Sequence, residues 1–266
     1  MDGDDFIEQG RGAAVVFIHG IGGGAACWTR QVDAFGRLCR AMAWNMPGYG
    51  GTALLPETTF AAVADRLAAL LDARGIDRAH LVGHSLGGMV AQEFCARHGE
   101  RLHTVTLCAT SSAFGKSDGD FQRAFLADRL GPLDAGRTMA DMAADLVPGL
   151  LGDDPDPAGT ALALDCMARV PADTYRAMMR CLVTFDRRQA LAAIPVPALV
   201  LAGGRDTTAP ASMMERMAVR IPAADYVCLD GAGHMVNMER PGPFNAALAA
   251  FLGRHGLDAA GAVASV

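Results

Sequence analysis

Lysine is nearly absent from this chain: Lys116 is the only one in 266 residues, and the positive charge rests on arginine. With 23 basic against 29 acidic side chains the net charge is −6, and no basic stripe stands out along the sequence. That excludes a phosphate-binding surface for nucleic acid as an expected function. No run of 18 or more apolar residues occurs, so no membrane-spanning helix is expected. The first ten residues, MDGDDFIEQG, are acidic and lack an apolar centre, so they do not read as a secretory signal, and a cytoplasmic location is expected. The seven cysteines (Cys27, Cys39, Cys95, Cys108, Cys166, Cys181 and Cys228) show no CxxC spacing and are odd in number. They are expected to be reduced and mostly buried as small apolar side chains. No His/Cys/Asp grouping has metal-ligand spacing, so neither a metal nor a cofactor is implied. No repeat of 20–50 residues is visible.

Apolar residues make up 51% of the chain and charged residues 20%, enough to bury a large core. Short apolar runs alternate with stretches of helical spacing. Ala13–His19 (AAVVFIH) reads as a buried strand and Trp28–Leu38 as a helix. Ala41–Asn45 reads as a strand stopped by Pro47-Gly48, and Thr59–Arg74 as a helix closed by Gly75. Ala79–Gly83, Leu86–His98 and Val105–Ala109 continue as strand, helix, strand. Such alternation predicts an α/β fold: a mostly parallel, doubly wound sheet with helices on both faces. The rhythm then lapses. From about Ser111 to Ala193 helical segments are interrupted by breaks at Gly131-Pro132 and Gly152–Pro157, with no convincing strand. It resumes with Ala198–Gly203 (strand), Met213–Arg220 (helix), Tyr226–Asp230 (strand) and Pro243–Arg254 (helix). The expected division is therefore a core of residues 1–111 and 194–266, with a helical insertion over 112–193. The tail from Leu257 is expected to fray.

Chemistry enters at Gly83-His84-Ser85-Leu86-Gly87, a G-x-S-x-G between a predicted strand and a predicted helix. Chance placement of the 31 glycines and 6 serines would give about 0.08 such matches in this length, and the strand–helix context narrows it further. A tight strand-to-helix turn projects the serine hydroxyl from the sheet's carboxyl edge and needs tiny neighbours on either side. The following helix start directs free N–H groups toward the reacting centre. A serine hydroxyl needs a base, and the base needs an orienting partner. His98 and His103 follow too closely after Ser85, and His255 sits at a predicted helix end. His234, in the glycine-rich Gly231–His234 after the last predicted strand, is the expected base. Asp206, in the loop after Ala198–Gly203, is the expected orienting acid. Asp230, Asp118 and Asp120 are weaker alternatives, and Asp206 could instead serve only as a turn or capping residue. Backbone N–H groups of Leu86 and of Ile21, in the loop His19–Gly24, are the expected oxyanion donors. His19 is expected to brace that loop. The glycines there match neither G-x-G-x-x-G nor a Walker pattern, so phosphate binding is not expected.

HGIGGGAACW, NMPGYGGT, GHSLGG, GGRDTTAP and GAGHMVNMERP occur in that order. Together they make the chain resemble the α/β-hydrolase superfamily over about residues 6–255, most closely the bacterial 3-oxoadipate enol-lactonases and related small-ester or lactone hydrolases. The resemblance implies a helical cap near Ser112–Ala193, a triad of Ser85, Asp206 and His234, and an oxyanion hole at Ile21 and Leu86. It implies a serine hydrolase forming an acyl-enzyme with a small ester or (enol-)lactone. Members with aspartate at the turn, the haloalkane dehalogenases and epoxide hydrolases, are excluded by Ser85. A C–C bond hydrolase of the meta-cleavage type, a cofactor-free perhydrolase and a non-catalytic binding protein of the same fold remain as alternatives. The implied partner is a small molecule, with neither nucleic acid nor membrane, and a homodimer is left open.

Gly20, Trp28, His84, Met139, Met142 and Met178 are the expected substrate contacts, with Met167 and Met179 as further adaptable lining. The methionines could equally pack cap helices together. Arg123, Arg129, Arg180, Arg187 and Arg188 are candidates to hold a substrate carboxylate, or solvated surface groups.

Overall fold

The structure, a computed structural model, describes residues 5–115 and 119–257. Lys116, Asp118 and nearly all of the tail expected to fray lie outside the described residues. A sheet of seven strands runs in the order β1-β3-β2-β4-β5-β6-β7. The strands are β1 (Phe6–Gln9), β2 (Ala14–Ile18), β3 (Arg40–Trp44), β4 (Ala79–His84), β5 (Leu102–Cys108), β6 (Ala198–Gly203) and β7 (Ala224–Leu229). Only β1 runs antiparallel, pairing Phe6 with Trp44; every other pairing is parallel. β2, β4 and β6 are buried along their whole length, which is why they read as unbroken apolar runs rather than alternating ones.

The core helices are α1 (Thr29–Phe35), α2 (Phe60–Ala73) and α3 (Leu86–His98). Between β5 and β6 four helices are inserted: α4 (Asp120–Asp134), α5 (Met139–Leu146), α6 (Pro157–Ala168) and α7 (Ala172–Leu182). The core then closes with α8 (Ala211–Val219), α9 (Val236–Glu239) and α10 (Pro241–Arg254). Helix starts follow local chemistry. The side chains of Thr59, Thr138 and Asp156 accept hydrogen bonds from the N–H three residues on, capping α2, α5 and α6.

The sequence reading departs from the structure at Gly131-Pro132, expected as a break. α4 runs through both residues and ends at Asp134. A proline this close to the last turn removes a single helical hydrogen bond, and the helix stops before the loss is repeated. The insertion is also not purely helical in its pairing, since Ala113 and Asp186 form an isolated antiparallel bridge that ties its two ends together. Six cysteines are buried and all seven are free; Cys228, on the outer strand β7, is exposed. No helix among the described residues is long and apolar enough to cross a membrane.

Candidate active site

Because the sheet is parallel, the carboxyl ends of β2, β4, β5 and β6 lie along one edge, and the loops leaving them meet there. Ser85 sits between β4 and α3 with φ 53° and ψ −118°. A non-glycine residue in that region stores strain of order 1–3 kcal/mol unless its surroundings enforce it. Three bonds do so. Ser85 N–H donates to Cys108 C=O at 2.9 Å, and Ser85 C=O accepts from Gly88 N–H at 2.9 Å and from the Thr110 hydroxyl at 2.7 Å. The close passage also demands bare backbone: a Cβ on Gly83 would lie 2.3 Å from Gly87 O, and one on Gly87 would lie 2.2 Å from Ile18 O.

His234 reaches back from the loop after β7. The Ser85 hydroxyl lies 3.0 Å from His234 Nε2, and His234 Nδ1 lies 2.8 Å from Asp206 Oδ2. The other carboxylate oxygen, Asp206 Oδ1, accepts from Thr208 N–H at 2.7 Å and Ala209 N–H at 2.9 Å. Burial pushes the Asp206 carboxyl up, but the His234 ring and those two N–H groups outweigh it, and the net shift is below the usual carboxylate value. An ionised Asp206 fixes the proton on Nδ1, so that Nε2 presents a lone pair to the Ser85 hydroxyl.

Two further histidines frame the site. His19 Nε2 accepts from Met46 N–H at 3.2 Å, which leaves Nδ1–H to donate to Gly20 C=O at 2.7 Å. Burial lowers its pKa to about 4, so a neutral ring braces the loop as the sequence suggested. His84 Nε2–H donates to His234 C=O at 2.7 Å, and burial lowers its pKa to about 3. Gly20 packs against this pair: a Cβ there would lie 2.9 Å from His84 Nδ1 and 3.2 Å from Ser85 Cβ. Ile21 holds its place through its C=O, which accepts from the Tyr49 hydroxyl at 2.9 Å. Leu86 opens α3 with its side chain buried, and its N–H belongs to the first turn, which has no intrahelical acceptor.

Above Ser85 lies a cavity of about 560 Å³, lined from the core by Gly20, Ile21, Trp28, His84, Ser85 and His234. The insertion supplies the opposite wall, including Phe121, Phe125, Met167, Tyr175 and Met179. Met139, Met142 and Met178 do not line it; they are buried in the apolar core. Met178 and Met179 differ by about 100° around α7, so one faces the cavity while its neighbour packs inward. α5, which carries Met139 and Met142, packs on α6 instead. Of the five arginines considered, only Arg129 borders the cavity. Arg187 is held by Glu93 through bonds of 2.7 and 2.6 Å, while Arg123 and Arg188 pair with Asp120 and Asp186. The alternative acids are elsewhere: Asp230 is exposed, and Asp120 opens α4 beside Arg123. His98 pairs with Asp65, and His255 packs on Phe251. Among the described residues no group of three or more His, Cys, Asp or Glu could hold a metal.

Residues 15–247 match the model of the alpha/beta hydrolase family. The chain belongs to that family. As a family member it is similar to 3-oxoadipate enol-lactonase 1 of Acinetobacter baylyi, 27% identical over 234 residues, covering 87% of this chain and 85% of that protein. Among solved structures it is similar to a thermophilic esterase from Thermogutta terrifontis, described with malate bound: TM-score 0.87, 25% identity, covering 94% of this chain and 93% of that one. It is also similar to the enol-lactonase from Burkholderia xenovorans LB400, with TM-score 0.81, 26% identity, and 93% and 95% coverage. This α/β hydrolase thus shares its fold over most of its length with proteins named as an esterase and enol-lactonases.

Sequence reasoning missed Thr110 and Glu239. Thr110 follows a strand as an ordinary polar residue, and only the fold brings its hydroxyl under Ser85. Glu239 lies five residues past His234 in a stretch to which the sequence assigns no element, and it is 1% exposed, with its carboxylate turned back onto the histidine loop.

Proposed function

We propose that this α/β hydrolase is a serine hydrolase cleaving a small carboxylic ester or lactone through an acyl-enzyme on Ser85, with the insertion over residues 112–193 acting as a cap on the substrate. The observation that carries the reading is the chain Ser85 Oγ, His234 Nε2, His234 Nδ1, Asp206 Oδ2, with bonds of 3.0 and 2.8 Å, at the floor of the cavity. His234 takes the Ser85 proton as the oxygen attacks the carbonyl carbon, and Asp206 stabilises the imidazolium. The carbonyl oxygen becomes an oxyanion received by the N–H groups of Ile21 and Leu86. His234 then gives its proton to the leaving oxygen, which departs as an alcohol or, in a lactone, as the free hydroxyl end of the same chain. Water, deprotonated by His234, attacks the acyl carbon and releases the carboxylic acid and Ser85.

The relatives named above support an ester or lactone as the bond cleaved. Trp28, Met167, Phe121, Phe125 and Met179 favour an apolar substituent beside it. A panel of aryl esters, lactones and vinylogous diketones, with Ser85→Ala as control, tests the reading. Expected is hydrolysis of an ester or lactone, a fluorophosphonate adduct on Ser85, and a loss of at least about 10⁴-fold in kcat in Ser85→Ala. Undiminished hydrolysis by Ser85→Ala would refute the nucleophile. Turnover of the diketones alone would refute the bond type.

A further inference from the structure

The base sits on a loop, and loops are poorly suited to hold a proton acceptor to a fraction of an ångström. Residues 233–235 belong to no helix or strand. Their backbone N–H groups are nonetheless all committed. Gly233 N–H donates to Glu239 Oε2 at 3.0 Å, and Met235 N–H donates to Glu239 Oε1 at 2.9 Å. His234 N–H, between them, donates to Leu150 C=O at 2.7 Å. Glu239 Oε2 also accepts from Gly152 N–H at 2.7 Å. One carboxylate therefore grips the loop on both sides of His234 and, with the same oxygen, the segment of the insertion that carries Leu150.

That segment is stitched to the loop further along. Asp153 N–H donates to Gly231 C=O at 2.7 Å, and Asp156 N–H donates to Glu239 C=O at 3.3 Å. From outside, the Arg240 guanidinium donates to the carbonyls of Asp154, at 2.6 Å, and Asp153. Glu239 is 1% exposed, and among the described residues no arginine or histidine lies within ion-pair distance of it. A buried acid held only by backbone N–H groups is costly to place unless each of those bonds is made. A glutamine of the same volume would turn its amide donor toward at least one of the three N–H groups.

We propose that Glu239 is a positioning residue for the base: by clamping the insertion segment 150–156 to the loop 231–235, it holds the His234 ring in line between Asp206 and Ser85. The insertion is then part of the catalytic apparatus and not only a cover over the cavity. This rests on His234 being the base, as proposed above.

The test is Glu239→Gln, with activity measured on whichever ester or lactone the wild-type enzyme turns over in a Ser85-dependent manner. The folded fraction is set by circular dichroism and active-site titration. Expected is a 10- to 100-fold fall in kcat with KM within about twofold, of the size a displaced catalytic group produces. Fluorophosphonate labelling of Ser85 should slow by a similar factor, and the far-downfield proton resonance of the His234–Asp206 bond should broaden or vanish. A variant that is less stable but has kcat within twofold of wild type and an intact resonance overturns the proposal, leaving Glu239 a structural residue. Should Glu239→Gln fail to fold, Arg240→Met decides, because it loosens the same segment from the solvent side. A several-fold loss of kcat at constant KM upholds the proposal, and no change overturns it. Neither outcome bears on Ser85, whose role is settled separately by Ser85→Ala.

Discussion

At the scale of single residues, the chemistry turns on which atom of which ring carries a proton. His234 can accept from Ser85 only while its own proton is on Nδ1, and Asp206 Oδ2 at 2.8 Å enforces that. Asp206→Asn is a sharp test, because it keeps the shape of the side chain while changing what it offers the ring. The amide oxygen can still accept from Thr208 and Ala209 N–H, while the NH₂ faces Nδ1 and drives the proton to Nε2. The expected outcome is a fall in kcat of about 10⁴-fold in protein that is still folded by circular dichroism, read by steady-state kinetics on a Ser85-dependent substrate. Residue identity was legible here: serine between glycines, histidine after the last strand and aspartate after the strand before it pointed to three side chains that the fold brings together. Facing was not. Met178 and Met179 are one residue apart, and which of them lines the cavity depends on how α7 rolls against the core, a matter of packing rather than of side-chain type.

At the scale of elements, the turn from β4 into α3 shows how tightly local geometry constrains sequence. Gly87, in the first turn of α3, abuts the carbonyl of Ile18 at the end of β2, and a Cβ there would lie 2.2 Å from that oxygen. Gly87→Ala should therefore cost on the order of 1–3 kcal/mol of stability, as overpacking does. It should also lower Ser85 labelling by fluorophosphonate. A urea denaturation midpoint equal to wild type would show that the turn has more room than its contacts imply. Strands and core helices were legible because buried parallel strands are unbroken apolar runs and surface helices are not. The insertion was legible only as helical. Its details, such as the continuation of α4 through Pro132 and the bridge between Ala113 and Asp186, depend on partners distant in the chain.

At the scale of the whole molecule, three buried histidines make stability depend on pH. Burial lowers His19 and His80 to about 4 and His84 to about 3, against an ordinary value of 6.5. In the unfolded chain each takes up its proton near 6.5, and in the folded protein not until near 4 or below. The stabilisation is complete above pH 6.5 and is lost as pH falls toward 4, by up to about 1.4 kcal/mol per pH unit for each group. Asp206, depressed in the folded state, adds a loss of the same sign below its unfolded value near 3.8. Urea midpoints should be level from pH 8 to 7 and drop steeply between 6.5 and 5. A midpoint that stays level down to pH 5 would mean that these rings titrate freely. The sequence by itself determined the alternation of strands β2 to β7 with most of their helices, the helical insertion, and Ser85, His234 and Asp206 as the candidate site side chains that the fold brings together, because apolar period, glycine placement and chain order are properties of neighbours along the chain. Only the tertiary structure decided which methionines face the cavity, that Thr110 holds the Ser85 backbone, and that Glu239 binds the insertion to the histidine loop. Each of those depends on segments far apart in sequence meeting at a particular angle and distance, and no local pattern encodes that meeting.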